Sequence, residues 1–305
     1  MTVNIDLINK INRLKKEKNA VILAHTYQNV EIDEVADFSG DSLYLSQQAA
    51  KTDADIIVFA GVYFMAETAK ILSPDKKVFL PNMNAGCAMA DKINLQQLRN
   101  FKAKYPNIPV VCYVNSTAEV KAESDVCCTS ANAVNVVKAL NAREVLFVPD
   151  QNLGSYVETQ IEDVKVITYN GFCPIHHEIT VDDIKTQKEL YPNAKFMVHP
   201  ECQKEVAQMA DFVGSTTAII KAVKESSDKE FVIVTEKGVV DRLKRDCPDK
   251  TFVLINDKAV CESMKLITLE DILRILETEE NEIFVEPQIA QKAVCAINKM
   301  VSINA

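Results

Sequence analysis

PVVCYVNST, residues 109 to 117, is an apolar run that ends in polar side chains, and the chain contains it in variant form twice more. At shifts of 88 and then 86 residues, AVILAHTYQ (20 to 28) and KFMVHPEC (195 to 202) fall into line with it. His25 then matches Tyr113 and His199, while Tyr27 matches Asn115 and Glu201. YPN recurs at Tyr105 to Asn107 and Tyr191 to Asn193, again 86 apart. A repeated segment of this length is one supersecondary unit used several times.

The same shifts place SGDS (39 to 42) on CCTS (127 to 130) and VGST (213 to 216), each opening a helical segment. Ser42, Ser130 and Thr216 become equivalents. A second strand follows (DIIVFA, EVLFVP, EFVIVT), then a helix, then a third strand (KVFLP, VKVIT, TFVLI). Each third strand runs into a loop with a cysteine: NAGC at Cys87, NGFC at Cys173 and DKAVC at Cys261. Strands alternating with helices imply parallel sheets covered on both faces. The expected fold is α/β: three homologous three-layer αβα domains with short parallel sheets, in pseudo-threefold symmetry around a central active site. The units expected are 1–105, with an N-terminal docking helix, 106–191, and 192–305, with a C-terminal helix.

Bulk properties narrow the function. Hydrophobic residues make up 48% of the 305, charged residues 25%, and the formal charge is −9, which disfavours a nucleic-acid surface. The longest apolar stretch, IIVFAGVYFMA (56 to 66), is too short to cross a bilayer, which takes about 20 residues. The N-terminus spaces Ile5, Ile8, Ile11 and Leu14 as one helix face and lacks a signal-peptide pattern, so a cytoplasmic protein is expected. An odd count of nine scattered cysteines argues against a disulfide framework. No G-x-G-x-x-G, Walker A or G-x-S-x-G pattern is present, which disfavours dinucleotide, P-loop and α/β-hydrolase chemistry.

In parallel sheets, ligands bind beyond the carboxyl ends of the strands, where all four sets of marked residues fall. Three thiolates arriving from three loops would hold three corners of a cubane iron-sulfur cluster and leave the fourth iron open. Zinc on the same tripod fits the same count. Cys112, Cys127, Cys128, Cys202, Cys247 and Cys295 read as buried packing. His25, His199 and Tyr113 offer hydrogen bonds to carboxylates, Glu201 can move protons, and Tyr27 and Asn115 can orient a carbonyl or hydroxyl. His176, three residues past Cys173, should face the same pocket, and His177 should face solvent. Ser42, Ser130 and Thr216 stand where helix N-termini attract anions, or serve only as N-caps.

AHTYQ, ADFSGDSLYLS, VFAGVYFMAETAKIL, LPNMNAGCAMAD, CYVNSTAEVKAESDVCCTSANA, VPDQNLGSYV, NGFCPIHH, HPEC, GSTTAII and CESMKLITLEDI, between residues 24 and 272, strongly resemble the quinolinate synthase family. The resemblance implies a triangular three-domain protein with a 4Fe-4S cluster on its axis, bound by Cys87, Cys173 and Cys261 with one iron free. Such enzymes condense iminoaspartate with dihydroxyacetone phosphate to quinolinate, releasing phosphate and two waters, with L-aspartate oxidase as upstream supplier. Carried onto this chain, His25, Ser42, Ser130, His199 and Thr216 would bind carboxylate or phosphate groups. Tyr27, Tyr113, Asn115, His176 and Glu201 would handle proton transfers, isomerisation and dehydration, with Glu201 the first choice as general base or acid. Some members carry C-x-x-C-x-x-C at the third cysteine, whereas this chain has CESM, so a disulfide switch there is not supported. Two other readings use the same tripod: a zinc-dependent hydrolase and a non-catalytic iron-sulfur sensor.

Overall fold

Runs such as IIVFA, rich in β-branched and aromatic residues, bury every side chain from Ile56 to Ala60, which suits a strand covered by helices on both faces. Each fully buried aliphatic side chain of this kind contributes about 1.5–3 kcal/mol. The computed structural model describes residues 4–304. The first unit comprises α1 (Ile5–Glu17), β1 (Ala20–His25), β2 (Phe38–Gly40), α2 (Ser42–Lys51), β3 (Ile56–Ala60), α3 (Tyr63–Leu72) and β4 (Lys77–Phe79). After α4 (Leu95–Lys104) come β5 (Val110–Tyr113), α5 (Ala118–Ala122), β6 (Val126–Cys128), α6 (Ala133–Ala139), β7 (Glu144–Val148), α7 (Gln151–Thr159) and β8 (Lys165–Thr168). Two helices, α8 (Pro174–His177) and α9 (Val181–Leu190), lead to the third set of strands. That set is β9 (Lys195–Val198), α10 (Lys204–Ala207), β10 (Phe212–Val213), α11 (Thr216–Glu225), β11 (Glu230–Val234), α12 (Lys237–Asp246) and β12 (Thr251–Leu254). The chain closes with α13 (Glu262–Lys265), α14 (Leu269–Thr278) and α15 (Pro287–Ser302).

The strands form three four-stranded sheets, ordered β2-β1-β3-β4, β6-β5-β7-β8 and β10-β9-β11-β12, and all their pairings are parallel. The three-layer α/β fold is as expected, with one strand more per sheet. β2, β6 and β10 span only two or three residues, too few for a periodic pattern, and their partners supply the order. His25 pairs with Gly40 and Tyr113 with Cys128, so these edge strands fix the ends of the strands that carry the candidate site.

The helices between units lean forward along the chain. Phe101 of α4 packs edge-on against Tyr169 at 5.5 Å, and Arg99 pairs with Glu123, both on the second unit. Ile184 of α9 joins the core of the third sheet with Phe196 and Val232. α14, the third member of this set, packs beside α1 on the first unit, where Lys18 meets Glu279 at 2.7 Å. Thus the last linking helix returns to the first sheet. α15 likewise leaves the third unit and packs on α3, α5 and β6. Cys295 on this helix is exposed, a correction to its expected burial, because it lies on the face turned from that packing, whereas Ala293, Ala296, Ile297 and Met300 are buried. No helix among the described residues is long and apolar enough to cross a membrane.

Asn132 ties α15 in place. Its buried side chain donates to the carbonyls of Met300 (2.9 Å) and Ile303 (2.7 Å) and accepts from Thr129 N–H (2.9 Å). Asn132→Ala leaves Thr129 N–H and the Ile303 carbonyl without partners, while Met300 O keeps Ile303 N–H, and it is expected to cost about 1–3 kcal/mol, read as a lower urea midpoint. An unchanged midpoint would show that α15 docks without this contact.

Candidate functional site

One cavity of about 240 Å³ lies beyond the carboxyl ends of the strands, and every site residue named from the sequence lines it. His25 and Tyr113 close β1 and β5, and His199 follows β9 directly. The four triplets His25/Tyr113/His199, Tyr27/Asn115/Glu201, Ser42/Ser130/Thr216 and Cys87/Cys173/Cys261 all reach the same space.

The cysteine loops share a local design. Cys173 and Cys261 are N-caps of α8 and α13, and the sulfurs of Cys87, Cys173 and Cys261 face the N–H groups of Ala90, His176 and Met264, each three residues further on. Burial pushes the Cys87 thiol up to about 12 and raises those of Cys173 and Cys261. A metal bound here must therefore displace thiol protons. Two buried carboxylates missed in the sequence hold these loops. Asp150 accepts from Cys173 N–H (3.2 Å) and from Asn152 and Leu153 N–H at the start of α7. Glu236 does the same for Cys261 N–H (3.2 Å) and Gly238 N–H (2.6 Å) at the start of α12. They stand 86 residues apart, so the repeat itself could have found them, but the first unit has Val62 at that place and breaks the pattern. Burial raises both carboxyls, with the Glu201 charge adding to the effect on Asp150 and Lys265 opposing it on Glu236.

A buried hydrogen-bond network joins the three units. Tyr113 donates to Glu201 Oε1 at 2.5 Å, and His176 Nδ1 lies 2.7 Å from Glu201 Oε2. His176 Nε2 bonds Thr235 Oγ1 (2.8 Å), which also meets Tyr27 OH (3.0 Å), and Thr216 Oγ1 donates to the same phenol (3.0 Å). Burial works to raise the Glu201 carboxyl, but the facing histidines and the bonds from His176 and Tyr113 outweigh it and hold the group below the usual range. Burial pushes His25 and His199 down to about 3, so both rings are neutral at pH 7. In each, Nδ1 accepts the N–H two residues on, from Tyr27 (3.1 Å) and Glu201 (3.3 Å), which leaves the ring proton on Nε2. Two neutral rings are thus left as donors. Asn115 Oδ1 is buried with no partner among the described residues, an acceptor left for a ligand.

The structure separates the hydroxyl residues from the capping role. Asp41 and Ser215 cap α2 and α11, bonding Tyr44 N–H and Ala218 N–H, so Ser42 and Thr216 occupy the first helical turn. Ser130 does not open a helix: it sits in a turn ahead of α6, where Asn132 spends its side chain on Thr129 and α15. His177 does not face open solvent either. Its ring stacks on Phe172 at 4.1 Å and bonds Asn152 at 3.0 Å, because α8 is short enough to lay both histidines against packed surface.

A single tetrahedral zinc ion spaces its donors about 3.3–3.8 Å apart. Among the described residues only Cys173, His176 and Glu201 bring ligand atoms within 4.8 Å of one another. Cys87, Cys173 and Cys261 line one cavity but do not form such a close set, and three cysteine sulfurs are the donor type that an iron-sulfur cluster takes.

A family model described as "Quinolinate synthetase A protein" matches residues 9–302. Quinolinate synthase of Alkaliphilus metalliredigens is 53% identical over 298 residues, covering 98% of each chain. That of Clostridium kluyveri is 51% identical over 297 residues (97% of this chain, 98% of the relative). Quinolinate synthase 2 of Methanosarcina acetivorans is 50% identical over 295 residues (97% and 95%).

Asp150→Ala strips acceptors from three backbone N–H groups and is expected to cost about 3 kcal/mol in urea denaturation. Burial pushes the Asp150 carboxyl up to about 8, so near pH 7 Asp150→Asn keeps one carbonyl oxygen and changes little charge, and it should cost less than half as much. Equal losses in the two variants would show that the oxygen kept by Asn does not hold the loop N–H groups.

Proposed function

The chain belongs to the family described as Quinolinate synthetase A protein, and from that premise we propose that it condenses iminoaspartate with dihydroxyacetone phosphate to quinolinate. Phosphate and two waters leave. The chain is an enzyme of NAD biosynthesis, and the observation that carries the finer reading is the single cavity lined by three cysteines and by a buried Glu201 with its Tyr and His partners.

Cys87, Cys173 and Cys261 would hold a 4Fe-4S cluster, and the N–H groups facing their sulfurs suit thiolate ligands. When bound by three cysteines, such a cluster keeps one iron open as a Lewis acid, which helps hydroxide depart. The remaining chemistry falls to the chain. His25 and His199, neutral with Nε2–H free, donate to substrate carboxylates without carrying positive charge into the site. Ser42 and Thr216, in the first turns of α2 and α11, and Ser130 in its turn, add hydroxyls for carboxylate or phosphate. Glu201, held ionised, is the base that takes a carbon or hydroxyl proton, and Tyr113 and His176 at its two oxygens pass that proton on. Tyr27, clamped between Thr216 and Thr235, orients a substrate oxygen, and the free oxygen of Asn115 accepts from an imine N–H or hydroxyl. Enclosure between three units keeps water from the hydrolysable imine.

The pseudo-threefold arrangement belongs to this reading, supported by one strand order repeated in three sheets. All nine cysteines are free, which fits the reducing cytoplasm, and an oxidation of aspartate must supply the imine, as an L-aspartate oxidase would. The alternative of a sensor leaves the buried Glu201 network without a task.

Anaerobically reconstituted protein supplied with both substrates should form quinolinate. Glu201→Gln should keep its cluster absorbance and lower kcat about a hundredfold or more. A brown, fully loaded wild type that forms no quinolinate overturns the reading.

A further inference from the structure

Among the described residues, the one set of three side chains already gathered for a single metal ion does not coincide with the three-cysteine set. Cys173, His176 and Glu201 bring their donor atoms within 4.8 Å of one another, and one nitrogen serves both contacts: His176 Nδ1 lies 3.3 Å from Cys173 Sγ and 2.7 Å from Glu201 Oε2. Tetrahedral zinc with sulfur, nitrogen and oxygen donors spaces them about 3.3–3.6 Å apart, so an ion entering here moves them by less than about 1 Å.

The outer contacts orient each donor. Once Nδ1 binds a metal, the ring proton sits on Nε2, where Thr235 Oγ1 at 2.8 Å accepts it. Tyr113 occupies Glu201 Oε1, which leaves Oε2 for the ion. His177 N–H bonds the Cys173 carbonyl (2.9 Å) and Asp150 holds the Cys173 N–H, so the cysteine is fixed at the start of a helical turn with His176 one turn on. Thiolate, imidazole and carboxylate in one buried set match a borderline divalent ion rather than calcium or magnesium. The cavity beside them leaves room for a fourth ligand.

We propose that the chain without its cluster binds one zinc ion through Cys173 Sγ, His176 Nδ1 and Glu201 Oε2, and that this ion and the iron-sulfur cluster exclude one another. The zinc site stands on the geometry alone. The exclusion rests on the reading of Cys173 as a cluster ligand, since one thiolate cannot serve both at full occupancy. Zinc loading releases the Cys173 proton and costs no electron.

Apoprotein prepared anaerobically is titrated with zinc against a chromophoric chelator, with circular dichroism confirming that each variant is folded. Wild type should take up one tightly bound zinc. Cys173→Ser, His176→Gln and Glu201→Gln should each weaken it about a hundredfold or more, and Thr235→Val about tenfold. Cys87→Ser and Cys261→Ser should leave affinity within about twofold, because neither thiol belongs to the set. Loss of zinc in those two variants, or retention in His176→Gln, overturns the site. In the second arm, iron and sulfide are offered to zinc-loaded protein: cluster absorbance should fail to develop until the zinc is chelated. Full cluster formation with zinc still bound overturns the exclusion. Protein that binds zinc as described yet never takes up iron and sulfide would sink the proposed function and leave this site standing.

Discussion

A charged carboxylate at the centre of the molecule sets the terms for everything around it. Glu201 is buried, and no single unit satisfies it: Tyr113 and His176 come from the second sheet's stretch of chain, Glu201 and His199 from the third's. The first unit joins through Tyr27, whose phenol meets Thr235 and Thr216 of the third. Removing one partner from a buried charge costs about 3–5 kcal/mol, so the three units are held in register by the groups that face the cavity. α14 and α15 hold the same closure from outside, crossing back onto the first and second units.

Identical topology three times over would give three identical corners, and the site depends on where the corners differ. At strand ends the chain has His25, Tyr113 and His199, and two residues on it has Tyr27, Asn115 and Glu201. On the proposed reading, one carboxylate among neutral donors would serve as a single base, where three would repel one another in a confined space. The loop anchors differ as well. All three units share one main-chain bond here, from Tyr63 to Ala85, Gln151 to Gly171 and Lys237 to Ala259, each 2.8 Å; Asp150 and Glu236 add a hold on the Cys173 and Cys261 N–H groups, where the first unit has Val62.

Much of this was legible because repetition carries information that a lone motif lacks. Long apolar runs gave away β1, β3 and their equivalents, and constant shifts brought Cys87, Cys173 and Cys261 together before any coordinates. The edge strands β2, β6 and β10 escaped because two or three residues show no period. Ser130 was placed at a helix start since its equivalents sit there, but Asn132 diverts the turn toward α15. His177 and Cys295 differ from expectation for a related reason: exposure depends on distant partners, and Asn152 meets His177 while Cys295 lies on the outer face of its helix. Asp150 and Glu236 were within reach of the repeat, and only the departure at Val62 hid them.

The central claim is that three thiols from distant parts of the chain grip one metal assembly at the meeting point of the units. An anomalous difference map at the iron edge, from a crystal grown without oxygen, tests it directly. The account requires one compact iron peak in bonding contact with Cys87, Cys173 and Cys261 and open toward Glu201. Iron absent from that point, or the three sulfurs turned into separate cores, contradicts it.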